Sequence, residues 1–116
     1  MNKKYLGKKK ILKIYINNQD KFEGKPLWEV LLLKVKEIGL AGATVQKAVA
    51  GIGANTSLHT FNVLVLSQTL PLVIEIIDDE EKIKTFLEST NNMISEGLCT
   101  ISDIEVIDYK HKSFNK

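Results

Sequence analysis

Few side chains in this chain of 116 residues could carry covalent chemistry. There are two histidines, His59 and His111, and one cysteine, Cys99. Cys99 follows Leu98 at a predicted strand start, where a cysteine more often serves as a small buried hydrophobe than as a nucleophile. His111 lies in a basic tail and reads as solvated. His59 belongs to the polar stretch Asn55-Thr56-Ser57-Leu58-His59-Thr60, which offers hydroxyls and an amide but no paired carboxylates. Acid–base or nucleophilic catalysis needs a base beside a nucleophile, or two carboxylates facing a pocket. Neither pattern is visible, so no residue is assigned as catalytic and the chain is read as a non-enzyme. A metal site needs several ligands at fixed spacing, and two distant histidines do not supply it. The acidic run Asp78-Asp79-Glu80-Glu81 is explained by a helix start, with Asp78 as cap and Glu81 completing a capping box. No metal is therefore expected.

Gly51-Ile52-Gly53 is a lone pair of glycines. A dinucleotide fingerprint would need a third glycine opening a helix. The pair permits a turn, or it lets backbone approach an anion beside Asn55, Thr56 and Ser57; the spacing alone does not decide between these.

The elements that must position these groups are legible from periodicity. Leu12, Ile14 and Ile16 alternate with Lys13 and Tyr15, which predicts a half-buried strand. Residues 17–25 are polar and hold Gly24, so they read as a loop. Pro26 suits the first turn of a helix. Leu27, Leu31, Val35 and Ile38 recur at helical spacing, with Trp28, Leu32 and Leu33 widening the apolar face, and Gly39 is the stop. A second strand is expected over residues 43–52. Strands are also expected at Val63 to Leu66 and Leu72 to Ile77, the second opened by Pro71. A second helix carries Ile83, Phe86, Leu87, Thr90 and Ile94 on one stripe and ends by Gly97. A final strand runs from Ile104 to about Tyr109.

Strand, helix, strand, strand, helix, strand is the split βαβ order. The fold class is therefore α+β: a ferredoxin-like βαββαβ sandwich, with an antiparallel sheet and both helices on one face. Several strands are apolar on both sides, as Ile11 beside Leu12 and Val73 and Ile77 beside Ile74. The face without helices then calls for a cover, and a second copy of the chain is the simplest one.

Bulk properties agree with a single domain. The net charge of +2 is too small to predict nucleic-acid binding. Basic residues gather at the ends, at Lys3, Lys4, Lys8, Lys9 and Lys10 and again at Lys110, Lys112 and Lys116. The expected layout is a flexible basic segment at 1–8, a domain at 9–110 and a flexible tail at 111–116. One cysteine allows no internal disulfide. No apolar run reaches membrane-spanning length, and Lys13 interrupts Ile11 to Ile16, so neither membrane insertion nor a signal peptide is expected. A cytoplasmic location is expected.

Longer blocks carry a resemblance. Gly24-Lys25-Pro26-Leu27-Trp28-Glu29, Gly39-Leu40-Ala41-Gly42-Ala43-Thr44-Val45, Ile52-Gly53, His59-Thr60 and Leu70-Pro71-Leu72-Val73-Ile74-Glu75-Ile76-Ile77-Asp78 stand in this order. Gly97-Leu98-Cys99-Thr100 and Val106 to Tyr109 follow. Together they resemble the PII-like family known as domain of unknown function 190, over residues 9–110. The resemblance implies a signalling protein: a homotrimer that binds a small effector, such as an adenine nucleotide, in the clefts between subunits. A loop, here 53–71, would then regulate a partner such as a transporter or an enzyme. It implies ligand contacts at Gly51, Gly53, Asn55, Thr56, Ser57 and His59, with Thr100 from a neighbouring copy. Two departures stand out. Ala54-Asn55-Thr56 replaces an Arg-Gln-Lys run, and Thr100-Ile101-Ser102-Asp103 replaces a Gly-Asp-Gly-Lys turn, removing amides and a countercharge that would hold a triphosphate. The alternative is a structural or protein-binding oligomer with no small effector.

Overall fold

In chain order the elements are β1 (Gly7–Asn17), a small hairpin of β2 (Lys21–Phe22) and β3 (Lys25–Pro26), α1 (Leu27–Ile38), β4 (Ala43–Lys47), a hairpin of β5 (Ala50–Ile52) and β6 (Leu58–Thr60), β7 (Pro71–Asp78), α2 (Glu80–Thr90) and β8 (Leu98–Val106). This computed structural model describes residues 5–48, 50–52, 58–60 and 69–110, with backbone alone at 50–52 and 58–60.

The main sheet has the order β4-β7-β1-β8 and is antiparallel throughout. β1 lies inside it because its alternation is strict. Leu12, Ile14 and Ile16 are buried, as are Leu72, Ile74 and Ile76 of β7, their register partners or near neighbours on the same face. Both helices pack on that face. Leu27, Leu31 and Val35 of α1 and Ile83 and Phe86 of α2 join the strand residues in one core. The ferredoxin-like βαββαβ expectation is met, with the β2–β3 and β5–β6 hairpins added.

Local chemistry explains most boundaries. Gly39 ends α1 in the left-handed region at φ 85°, donating its N–H to Val35 and Lys36 carbonyls. Pro26 is the N-cap residue of α1, not its first turn. Leu33 departs from the expected apolar face and is exposed. The strand expected over 43–52 is broken. β4 ends at Lys47, opposite Leu72; the next partner, Pro71, accepts the Ala48 N–H at 2.9 Å but has no N–H to return. The expected strand at 63–66 lies outside the described residues.

Three further expectations are corrected. Asp78 does not cap α2: it ends β7, and Asp79 is the N-cap residue, with no side-chain capping bond. α2 stops at Thr90, not near Gly97. The last strand spans Leu98–Val106, beginning and ending earlier than its alternation suggested. Gly97 instead allows close approach: a Cβ there would lie 2.7 Å from the Tyr15 carbonyl oxygen. That contact seats β8 on β1, where Tyr15 faces Leu98.

Candidate functional site

The helices cover only part of the sheet. On the opposite face β1 presents Lys9, Ile11, Lys13 and Tyr15, β7 presents Val73, Glu75 and Ile77, and β8 presents Leu98, Thr100, Ser102 and Ile104. Cross-strand partners share a face, so the registers sort these residues into rows. Leu98, Tyr15 and Val73 make an apolar row; Ile11 and Ile77 make another, ending at Ser102. Between them runs Thr100, Lys13, Glu75 and Thr44. Lys13 and Glu75 stand 3.8 Å apart within that polar row. Tyr15, Ile77 and Leu98 are all exposed. The open face is thus largely apolar with a polar seam, in which the Lys13 expected on this side from the alternation meets Glu75.

At the β4 and β7 end of this face lies a cavity of about 390 Å³. Ala41, Gly42, Ala43 and Thr44 form one wall, Glu75 and Ile77 another, and Val106 with Tyr5 and Tyr109 a third. The two tyrosines come from opposite ends of the chain and stack, with centroids 4.8 Å apart and planes at 25°. Offset stacking of this kind is favourable beyond the area it buries. Lys9 also lines the cavity, and its ammonium reaches Asp79 at 2.6 Å. Its side chain is only 9% exposed. Lys10, its neighbour, points to the other face and pairs with Asp103 and Glu80. These two lysines are therefore bound into β1 and are not part of a frayed basic end.

The wall at Ala41 has a specific support. The buried Asp78 carboxylate accepts the Ala41 N–H at 2.8 Å and the Asp79 N–H at 2.7 Å. A carboxylate bonded to amides holds backbone firmly. One side chain thus fixes both the turn into β4 and the start of α2.

The residues expected from sequence are only partly placed. Gly51 and His59 are brought together as Cα partners across the β5–β6 hairpin. Gly53, Asn55, Thr56 and Ser57 lie outside the described residues. Thr100 sits in the polar seam, facing Lys13. The cavity walls at Ala41 to Thr44, Tyr5 and Tyr109 were not singled out as ligand contacts. The glycine-bearing stretch Gly39 to Val45 was the only signal for one of them.

Cys99 is not the small buried side chain its sequence context implied. It is exposed, because the helices leave the β8 side of the core face uncovered, although partial burial still pushes its thiol pKa up. Among the described residues no cluster of three or more His, Cys, Asp or Glu groups could hold a metal ion. No helix among them is long and apolar enough to cross a membrane.

Solved structures with this architecture define its class, a PII-like fold. CPII from Thiomonas intermedia K12, a nitrogen regulatory PII-like protein described as bound to ADP, AMP and bicarbonate, superposes with a TM-score of 0.64 at 18% identity, over 87% of this chain and 97% of that one. A putative PII-like signaling protein from Thermus thermophilus gives a TM-score of 0.64 at 17% identity, over 88% of this chain and 92% of that one. By sequence, residues 9–106 match the family model DUF190, described as "Uncharacterized ACR", and the chain belongs to that family. A UPF0166 protein of Aquifex aeolicus is 47% identical over 100 residues, covering 86% of this chain and 94% of the relative. A UPF0166 protein of Methanocaldococcus jannaschii is 38% identical over 108 residues, covering 92% and 97%.

Proposed function

We propose that this protein is a PII-like regulator with no catalytic activity of its own: a homotrimer that binds an adenine nucleotide between subunits and signals through the loop 53–71 to a partner protein, such as a transporter or enzyme. The observation that carries this reading is the cavity beside a largely apolar sheet face that no described helix covers. Each 100 Å² of such face removed from water is worth about 2.5 kcal/mol, so covering it with sister copies is favourable. Packing copies face to face would also wall in the cavity and turn it into a cleft between subunits. That CPII, with the same fold, is described with ADP and AMP supports the ligand class. In this reading Gly51, Gly53, Asn55, Thr56, Ser57 and His59 act from one subunit and Thr100 from its neighbour. A ligand that prefers one arrangement of the loop shifts the population toward it.

Two measurements test this together. Sedimentation velocity at micromolar concentration should give a trimer. Titration calorimetry with AMP, ADP and ATP should show saturable binding by at least one of them. A well-folded monomer that gives no heat with any of the three would end the proposal.

A further inference from the structure

We infer that the cavity takes the heterocyclic end of a nucleoside or nucleoside monophosphate against the Tyr5–Tyr109 pair, and that its charge balance disfavours longer phosphate chains. This rests on the adenine-nucleotide reading above, narrows its ligand class, and assigns the base to wall residues other than the loop and Thr100 contacts named there.

Size and shape come first. A volume of about 390 Å³ is at the small end of the range for small-molecule sites. It suits a base with part of its sugar better than an extended triphosphate. The stacked tyrosines, Val106 and Ile77 give an apolar wall with a flat element, the surface on which a planar heterocycle gains most. At the opposite wall Gly42 has no side chain, and a Cβ built there meets nothing within 4 Å, so space remains beside the backbone. Thr44 and Glu75 add a hydroxyl and a carboxylate, acceptors for an exocyclic amine or ribose hydroxyls.

Charge then selects among nucleotides. The lining contains one cation, Lys9, against two carboxylates, Glu75 and Asp78. Lys9 is already bonded to Asp79 at 2.6 Å. Lys13, the nearest cation in the seam, faces Glu75 at 3.8 Å. Lys10 is occupied by Asp103 and Glu80. Every added phosphate would thus meet carboxylates with no surplus positive charge from these residues, and phosphate binding depends on such surplus or on nests of amides.

The test is a calorimetric series of adenosine, AMP, ADP and ATP on the full chain in its native assembly, at fixed ionic strength and without magnesium. Adenosine and AMP should bind within about threefold of each other, and ATP at least about tenfold more weakly. Tyr109→Ala should weaken adenosine about tenfold, as expected for loss of an aromatic stacking surface, while Tyr109→Phe retains it. Glu75→Gln should narrow the gap between ATP and AMP. ATP as the tightest ligand, or unchanged adenosine affinity in Tyr109→Ala, overturns the inference while leaving the nucleotide-binding reading intact. Silence with all four ligands overturns both. The phosphate series uses the unaltered chain, so its outcome stands whether or not a variant folds.

Discussion

Asn18 and Leu70 hold each other by two hydrogen bonds: the Asn18 N–H donates to the Leu70 carbonyl at 2.8 Å, and the Leu70 N–H donates to the Asn18 side-chain oxygen at 2.8 Å. Beside them the Thr69 hydroxyl donates to Gln19 at 2.6 Å. The turn after β1 therefore grips the chain where it enters β7. Asn18→Ala leaves a buried amide without its acceptor, at a cost of about 1–3 kcal/mol. Chemical denaturation should show that loss, and hydrogen exchange at the Leu70 amide should quicken. An unchanged Leu70 exchange rate would mean the side-chain bond contributes nothing.

Asp78→Ala removes the acceptor for both the Ala41 and Asp79 amides. The expected destabilisation is about 1–3 kcal/mol, from donors left unpaired. Asp78→Asn keeps the shape and one carbonyl acceptor, so it should lose less. Ligand affinity should fall in Asp78→Ala, because the Ala41 wall loses its support. Stability and affinity both equal to the parent would contradict the role given to this carboxylate.

Gly97→Ala places a methyl 2.7 Å from the Tyr15 carbonyl oxygen and 3.2 Å from the Ile16 Cγ2 atom. Backbone cannot yield as a side-chain tip does, so β8 must shift away from β1, at a cost of about 1–3 kcal/mol. Loss of amide protection along Leu98–Val106, with the α1 amides unaffected, is the expected signature. Uniform protection would show that the strand absorbs the methyl.

Asp103 titrates below its ordinary value of 3.8 because the Lys10 ammonium donates to it, and the same bond raises Lys10 above 10.5. A depressed carboxylate adds stability above its unfolded value and loses it as pH falls through the folded one. The raised lysine does the reverse: its contribution is complete below 10.5 and disappears as pH climbs past the folded value. The pair is exposed, so the effect on folding is small. Carboxyl NMR should place the Asp103 midpoint below 3.8, and Lys10→Ala should move it back up. A midpoint that ignores Lys10→Ala would refute the pairing.

Particular residues show where sequence reasoning reached and where it stopped. The alternations of Leu12 to Ile16 and Leu72 to Ile77 fixed the two inner strands, since a buried face demands a strict period of two. Leu98 and Cys99 read as a strand start, but Thr100 to Asp103 shows no alternation, because neither face of β8 is covered by a helix there; the stretch owes its form to hydrogen bonding with β1. The break at Lys47 depends on Pro71 across the sheet. Asp78 looked like a cap from its neighbours, yet its partner Ala41 lies far back in the chain. The cavity was least legible, because stacking of Tyr5 on Tyr109 joins the two ends of the chain. No window of sequence contains both.

Among the described residues β8 is bonded along one border only. On the other border no described strand pairs with it along its nine residues. Any extended segment that arrives there can lengthen the sheet, the route by which strand proteins recruit peptides and also precipitate. The only charges on that strand are Asp103 and Glu105, both acidic. Those two carboxylates are the strand's guards, so replacing both with neutral residues should lower solubility before it weakens the core.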